Sequence, residues 1–305
     1  MFCLDIFNLI NNYLSLPDSI NLKFINKVSY KINICFRNPL IKKINKIFKF
    51  EPDDNFAAGL LNIINKHEEF SISGSIILQT INNEDYNDSD LDIYFNTDKY
   101  INSNSQEKEY IGSIPFEEIY DYLSKFNFKC CTVWDPYYYY HGHNTDNYNI
   151  KKFFRKYIYA PHIDLIFMPY SIKDRIIKSR ELICCNNYYD GKTLYMQNLN
   201  NILNKWTLWK FDEDIYLNSE KYSINDILYN MVYRCEKYYC RNYEIFIKIH
   251  DLLKLSEVYN LRILESDNCI ILKSNNYIYK FYKSNYYQNY VAFDLNYDIT
   301  LYIYH

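Results

Sequence analysis

Apolar positions recur along this chain at helical spacing in some stretches and in short β-branched and aromatic runs in others. The changes of period mark its elements. Residues 1–45 place Ile6, Leu9, Ile10 and Leu14 on one helical face, break at Leu16-Pro17-Asp18-Ser19, and resume with Ile20, Leu22, Phe24, Ile25, Val28 and Ile32. Two or three short amphipathic helices are predicted there, with Pro17 at a turn or first helical position. After Pro52-Asp53-Asp54 comes a further helical face, Phe56, Leu60, Leu61, Ile63 and Ile64, for which Asp53 or Asp54 would be the N-cap. Phe70 to Asn96 then reads as an apolar strand running into Ser73-Gly74-Ser75, a short helix, a polar loop, and a segment closing on Ser89-Asp90-Leu91-Asp92-Ile93-Tyr94-Phe95.

Beyond that stretch the pattern predicts a polar loop over 100–115, an amphipathic helix over 116–126, a strand over 128–134 and a loop or long hairpin over 135–149. The apolar run His162-Ile163-Asp164-Leu165-Ile166-Phe167 reads as a buried strand. A basic helix is predicted over 171–180, and residues 181–196 read as strand, Asp190-Gly191 turn, strand. Ser223-Ile224-Asn225-Asp226 opens a helix, a second helix is predicted from Tyr243 through Leu255, and residues 258–305 read as an antiparallel meander.

Asp90 and Asp92 are the first residues in this pattern that carry chemistry. Two apart in a strand, they share one face while Leu91, Ile93 and Phe95 share the other. A hard cation such as Mg²⁺ takes oxygen ligands and uses one or two carboxylates beside a substrate phosphate. The turn at Gly74-Ser75, by opening a helix, presents backbone N–H groups to a phosphate. Each motif alone is ordinary, a turn and a solvated strand edge; their joint occurrence in this order is what carries the reading.

A hydrophobic strand, Gly-Ser, a short helix and then Ser-Asp-hydrophobic-Asp-hydrophobic resembles the signature of the nucleotidyltransferase fold of poly(A) polymerases, CCA-adding enzymes, oligoadenylate synthases and polymerase-beta-like proteins. The segment is also similar to uncharacterised nucleotidyltransferase-like proteins of fungi and large DNA viruses. The resemblance spans roughly Phe70 to Met168. It implies an α+β fold: a nucleotidyltransferase-type mixed sheet with flanking helices over residues 49–200, a helical N-terminal extension over 1–48, and a C-terminal helical and β-meander region over 201–305. It also implies a third carboxylate on a neighbouring strand, for which Asp164 is the candidate. The implied reaction moves a nucleoside monophosphate from an NTP, ATP first, to a hydroxyl on an RNA end, a small molecule or a protein. Asp90, Asp92 and Asp164 would hold Mg²⁺ or Mn²⁺, Asp164 would help deprotonate the attacking hydroxyl, and Gly74, Ser75 and Ser89 would bind the nucleotide.

The helix, turn and LKFINKVSYKI within residues 1–45 are similar to an F-box-like module, which implies a ubiquitin-ligase adaptor as partner; a helical extension packed on the catalytic core is the plainer reading. Two other function classes stand beside the enzyme: an F-box-like adaptor whose nucleotidyltransferase domain is inactive and binds a target, and a structural or antitoxin-like partner without catalysis.

Composition narrows these readings. A formal charge of -3 and a pI near 6.1 leave any nucleic-acid binding to a local basic patch, of which Lys151 to Lys156 is the candidate, with a solvated face as the bland alternative. Nine cysteines, an odd number without a CxxC pair, point to reduced thiols in an intracellular, cytoplasmic protein, host-cell cytoplasm if viral. His141-Gly142-His143 with His162 suggests zinc, but no cysteines stand at matching spacing. No apolar run reaches the roughly 18 residues of a membrane span, so no membrane partner is expected. Tyr 36 against Gly 5 reads as a coding bias rather than a tyrosine code.

Overall fold

Two sheets organise the chain, one in each of two units, and a computed structural model describes residues 36–86, 89–100, 112–131, 149–155, 161–168, 182–197, 199–211, 216–217, 220, 223–265, 269–273, 278–283 and 290–292. The F-box-like segment, the basic helix predicted over 171–180 and the residues His141 and His143 lie outside the described residues.

In the first unit the described chain runs α1 (Arg37–Phe48), α2 (Phe56–Lys66), β1 (Phe70–Ser73), α3 (Ser75–Asn82), β2 (Leu91–Asn96), α4 (Ile114–Lys125), β3 (Lys129–Cys131), β4 (Asn149–Phe154), β5 (His162–Met168), β6 (Asn187–Tyr189) and β7 (Leu194–Met196). The strands form a seven-stranded mixed sheet in the order β3-β4-β5-β2-β1-β6-β7, parallel between β2 and β5 and antiparallel in its other ladders. The first unit is therefore α+β, a mixed sheet with flanking helices. Alternation assigns the faces. Leu91, Ile93 and Phe95 pair in register with Ile163, Leu165 and Phe167, all buried, and Phe167 meets Phe116 of α4. That face looks at the helices, so Asp92 and Asp164 look the other way.

Helix α1 is held by Leu40, Ile44 and Phe48, spaced four apart and all buried, and it packs on α2 and α3. Its one buried ammonium, Lys43, donates to the Glu84 carbonyl (2.6 Å) and to Asp85 Oδ1 (2.8 Å). Helix α1 thus contributes to the core of the first unit. The N-cap of α2 also differs from expectation. Pro52–Asp54 forms a 3-10 turn in which Asp54 Oδ2 accepts from the Glu51 N–H (2.9 Å), and the cap position falls to Asn55, left-handed at φ 54.

The second unit contains a 3-10 turn, Ile183–Cys185, followed by α5 (Leu199–Leu203), β8 (Trp206–Trp209), α6 (Ile224–Tyr239), β9 (Glu244–Lys248), α7 (Ile249–Val258), β10 (Arg262–Glu265), β11 (Cys269–Lys273), β12 (Ile278–Lys283) and β13 (Tyr290–Ala292). Its sheet runs β10-β11-β12-β13-β9-β8. Residues 182–186 also belong to this unit, and the described chain lies in it from Leu199 onward. Ser223 caps α6, its Oγ accepting from the Asp226 N–H (3.2 Å). The helix expected from Tyr243 begins only at Ile249. Ile245, Phe246 and Ile247 are consecutive and all buried, bounded by exposed Glu244 and Lys248, and such a run suits a strand covered on both faces. Strand β9 lies between β8, parallel, and β13, antiparallel. Among the described residues no helix is long and apolar enough to cross a membrane.

Candidate active site

Strand register lays one row of side chains across the face of the first sheet that looks away from the helices. Lys152 on β4 pairs with Asp164 on β5, Asp164 with Asp92 on β2, Asp92 with Ser73 on β1, Ser73 with Tyr188 on β6, and Tyr188 with Tyr195 on β7. Paired residues project to the same face. The row is basic at one end, carboxylate in the middle and aromatic at the other end.

Gly74 is fixed from two directions. Its φ of 89 lies where side-chain-bearing residues are strained, and a Cβ there would overlap Asp92 Oδ2. The Asp92 carboxylate thus rests on the backbone of the turn that opens α3. Ser75, the first residue of α3, is half-buried. Ser73 is fully buried and donates from Oγ to the Asn187 carbonyl (2.5 Å), tying β1 to β6 beside the carboxylates.

Ser89, the third expected nucleotide-binding residue, leads into β2. It is 3% exposed, and its Oγ accepts from Gln79 Nε2 (2.5 Å). Gln79 is itself fully buried, and its Oε1 accepts the Tyr86 N–H (2.8 Å). One amide on α3 therefore clamps the connection into β2 at two points and leads the chain into Asp90. Gln79 is silent in the sequence, where a polar residue inside a helical period gives no sign of which way it turns.

His162, which the sequence offers only as a zinc ligand beside His141 and His143, stands among the carboxylates. Its Nδ1 is 2.9 Å from Asp90 Oδ1 and its Nε2 is 3.2 Å from Asp164 Oδ1. Its backbone N–H also donates to Asp90 Oδ1 (3.4 Å), and Phe154 packs against the ring (centroids 5.0 Å apart). Burial pushes the imidazole pKa down, but the nearby carboxylates of Asp164 and Asp90 outweigh it and raise it to about 9. At neutral pH the ring is a cation between two carboxylates. The Asp164 contact is close in distance yet outside hydrogen-bond angles, so the buried Oδ1 of Asp164 accepts no hydrogen bond. His162 and Asp164 stand two apart, as Asp90 and Asp92 do, and that spacing was the available signal.

Strand alternation splits the described part of the basic run, Lys151 to Arg155, and Lys156 lies outside the described residues. Lys151 lies over the Phe116 ring (4.6 Å) on the helix side, Lys152 Nζ lies 4.0 Å from Asp164 Oδ2, and Arg155 covers Phe50 (3.9 Å) while donating to the Phe48 carbonyl (3.1 Å).

The chain matches no family model, and no curated protein matches it.

In donor chemistry the row fits a hard divalent ion. Asp92 and Asp164 are register partners on one face, Asp164 Oδ1 is buried without a hydrogen bond, and Mg²⁺ needs only one or two carboxylates beside a phosphate. Asp90 is drawn instead to His162, and among the described residues no group of three or more His, Cys, Asp or Glu side chains is arranged to hold a metal.

Proposed function

We propose that the first unit is a nucleotidyltransferase that moves a nucleoside monophosphate from an NTP to a hydroxyl acceptor. The observation that supports it most is the register pairing of Asp92 with Asp164, with Asp92 seated on the Gly74 turn at the start of α3. In this reading the N-terminal N–H groups of α3, which have no partner within the helix, face the β- and γ-phosphates, and Asp92 and Asp164 hold Mg²⁺ or Mn²⁺. A bound ion supplies neutralisation of the triphosphate and of the charge that develops on transfer. The acceptor oxygen attacks the α-phosphorus in line; a new P–O bond forms, the bond to the bridging oxygen breaks, and pyrophosphate leaves. Asp164 takes the hydroxyl proton, a task suited to a buried carboxylate oxygen that accepts no hydrogen bond. Asp90 acts through its contact with His162 and as the second member of the Asp90–Asp92 pair.

The test is transfer of label from α-labelled ATP, GTP, CTP and UTP in Mg²⁺ or Mn²⁺, with a mixed RNA pool and the protein itself offered as acceptors. Incorporation that disappears in an Asp90→Asn/Asp92→Asn double variant supports the reading, and the labelled species names the acceptor.

A second reading, an F-box-like adaptor or binding module with an inactive nucleotidyltransferase domain, is favoured by one observation. His162 already neutralises Asp90 and Asp164 in place, as an inactive descendant of such a site would. No incorporation under any of these conditions would favour it.

A further inference from the structure

The row of site residues does not stop at the carboxylates. Two strands beyond Asp92 it reaches Tyr188, and three strands beyond it reaches Tyr195. At the usual spacing of neighbouring strands these lie about 10 and 14 Å from Asp92 along the sheet. The two rings stack with centroids 4.4 Å apart and planes 17° apart. Tyr188 is 7% exposed beneath, and Tyr195 is 42% exposed above, between half-buried Leu194 and Met196.

A cross-strand tyrosine pair steadies a short edge hairpin, and that accounts for the stack. It does not account for a large aromatic ring left open to solvent in line with two carboxylates and a phosphate-type turn. From a triphosphate at the Gly74-Ser75 turn, the row offers the sugar and base two directions. Toward β5 and β4 lie His162, Asp164 and Lys152, which are charged groups suited to an acceptor and its proton. Toward β6 and β7 lie the two tyrosines, and a nucleobase presents a flat, weakly polar face that stacks on such rings.

We propose that Tyr195, backed by Tyr188, is the stacking surface for the base of the bound nucleotide. The inference rests on the nucleotidyltransferase reading and adds to it a base subsite on the opposite side of Asp92 from Asp164. Stacking tolerates every base, so this surface supplies affinity rather than base choice.

Calorimetric titration of the full chain with Mg²⁺·α,β-methylene-ATP and, separately, with Mg²⁺·tripolyphosphate tests it, using the natural sequence, Tyr195→Ala, Tyr195→Trp and the Asp90→Asn/Asp92→Asn variant. Tyr195→Ala is expected to weaken nucleotide binding roughly 5- to 150-fold, the worth of one base–aromatic stack, while tripolyphosphate binds as before and Tyr195→Trp restores nucleotide affinity. Nucleotide binding unchanged in Tyr195→Ala but lost in the aspartate variant would overturn the base subsite and leave the nucleotidyltransferase reading standing. Equal loss of both ligands in Tyr195→Ala would overturn it as well, since the ring would then only support the sheet. A natural sequence that binds neither ligand would remove both ideas together.

Discussion

At the scale of single residues, Gly74 and His162 exert opposite control over the same carboxylates. Gly74 makes room for Asp92 by having no side chain and by adopting a φ of 89. Gly74→Ala is expected to cost about 1–3 kcal/mol in strain and to push the carboxylate from its seat, so that melting temperature falls modestly and label transfer falls much further. His162 instead holds carboxylates by supplying charge. His162→Ala leaves Asp164, 4% exposed, without its imidazolium, and removing one partner of a buried pair costs about 3–5 kcal/mol. In EDTA the variant should melt several degrees below the natural sequence. Added Mn²⁺ should raise the melting temperature of the variant more than that of the natural sequence, because the ion takes over the neutralisation. Equal melting in EDTA would mean that the imidazole contributes no net stability there.

At the scale of elements, α1 is pinned to the turn after α3 by Lys43 and Lys46, which both reach Asp85 (2.8 and 2.5 Å). The hydrogen bond from Lys43, then that from Lys46, holds the Asp85 carboxyl below its ordinary value. A depressed folded-state pKa stabilises above the unfolded value near 3.9 and is lost as pH falls through the lower folded value. The stability gap between the natural sequence and Asp85→Asn should be flat from pH 7 to 5 and close below pH 4. Because Asp85 is half exposed, the gap should stay below about 1 kcal/mol.

The elements also mark what the sequence could reveal. Strands β1, β2 and β5 were legible, since each alternates or runs apolar between clear breaks, and Asp164 was legible as a carboxylate embedded in one of them. Strand β9 was not, because Ile245, Phe246 and Ile247 fit a helical face as readily as a buried strand, and its neighbours β8 and β13 are far along the chain. Strand β8, Trp206–Trp209, carries strand-favouring Trp and Thr but at four residues is too short to show a period. The inward turn of Ser89 and the two-point grip of Gln79 depend on side-chain direction, which periodicity does not carry. The aromatic end of the row was hidden for the same reason as β9: it exists only through pairing of β1 with β6, whose members are more than a hundred residues apart.

At the scale of the whole molecule, the described residues fall into two units with a sheet each, and α1 belongs to the core of the first. A truncation that probes the F-box-like segment must therefore begin at Phe36 rather than beyond α1, where it would strip Leu40, Ile44 and Phe48 from that core. The adaptor reading predicts that the full chain captures a ubiquitin-ligase adaptor in a pull-down and that the chain beginning at Phe36 does not; capture by neither removes that partner and leaves the nucleotidyltransferase proposal standing. Whether the Asp92–Asp164 row transfers nucleotides is decided by the rate of label transfer from α-labelled ATP in Mn²⁺ for the natural sequence beside Asp164→Asn. A nucleotidyltransferase using Asp164 as base should incorporate label measurably as the natural sequence and at least about 10²-fold more slowly as the variant, the usual worth of a positioned general base. Incorporation at the same rate in both, or none by the natural sequence, would contradict it.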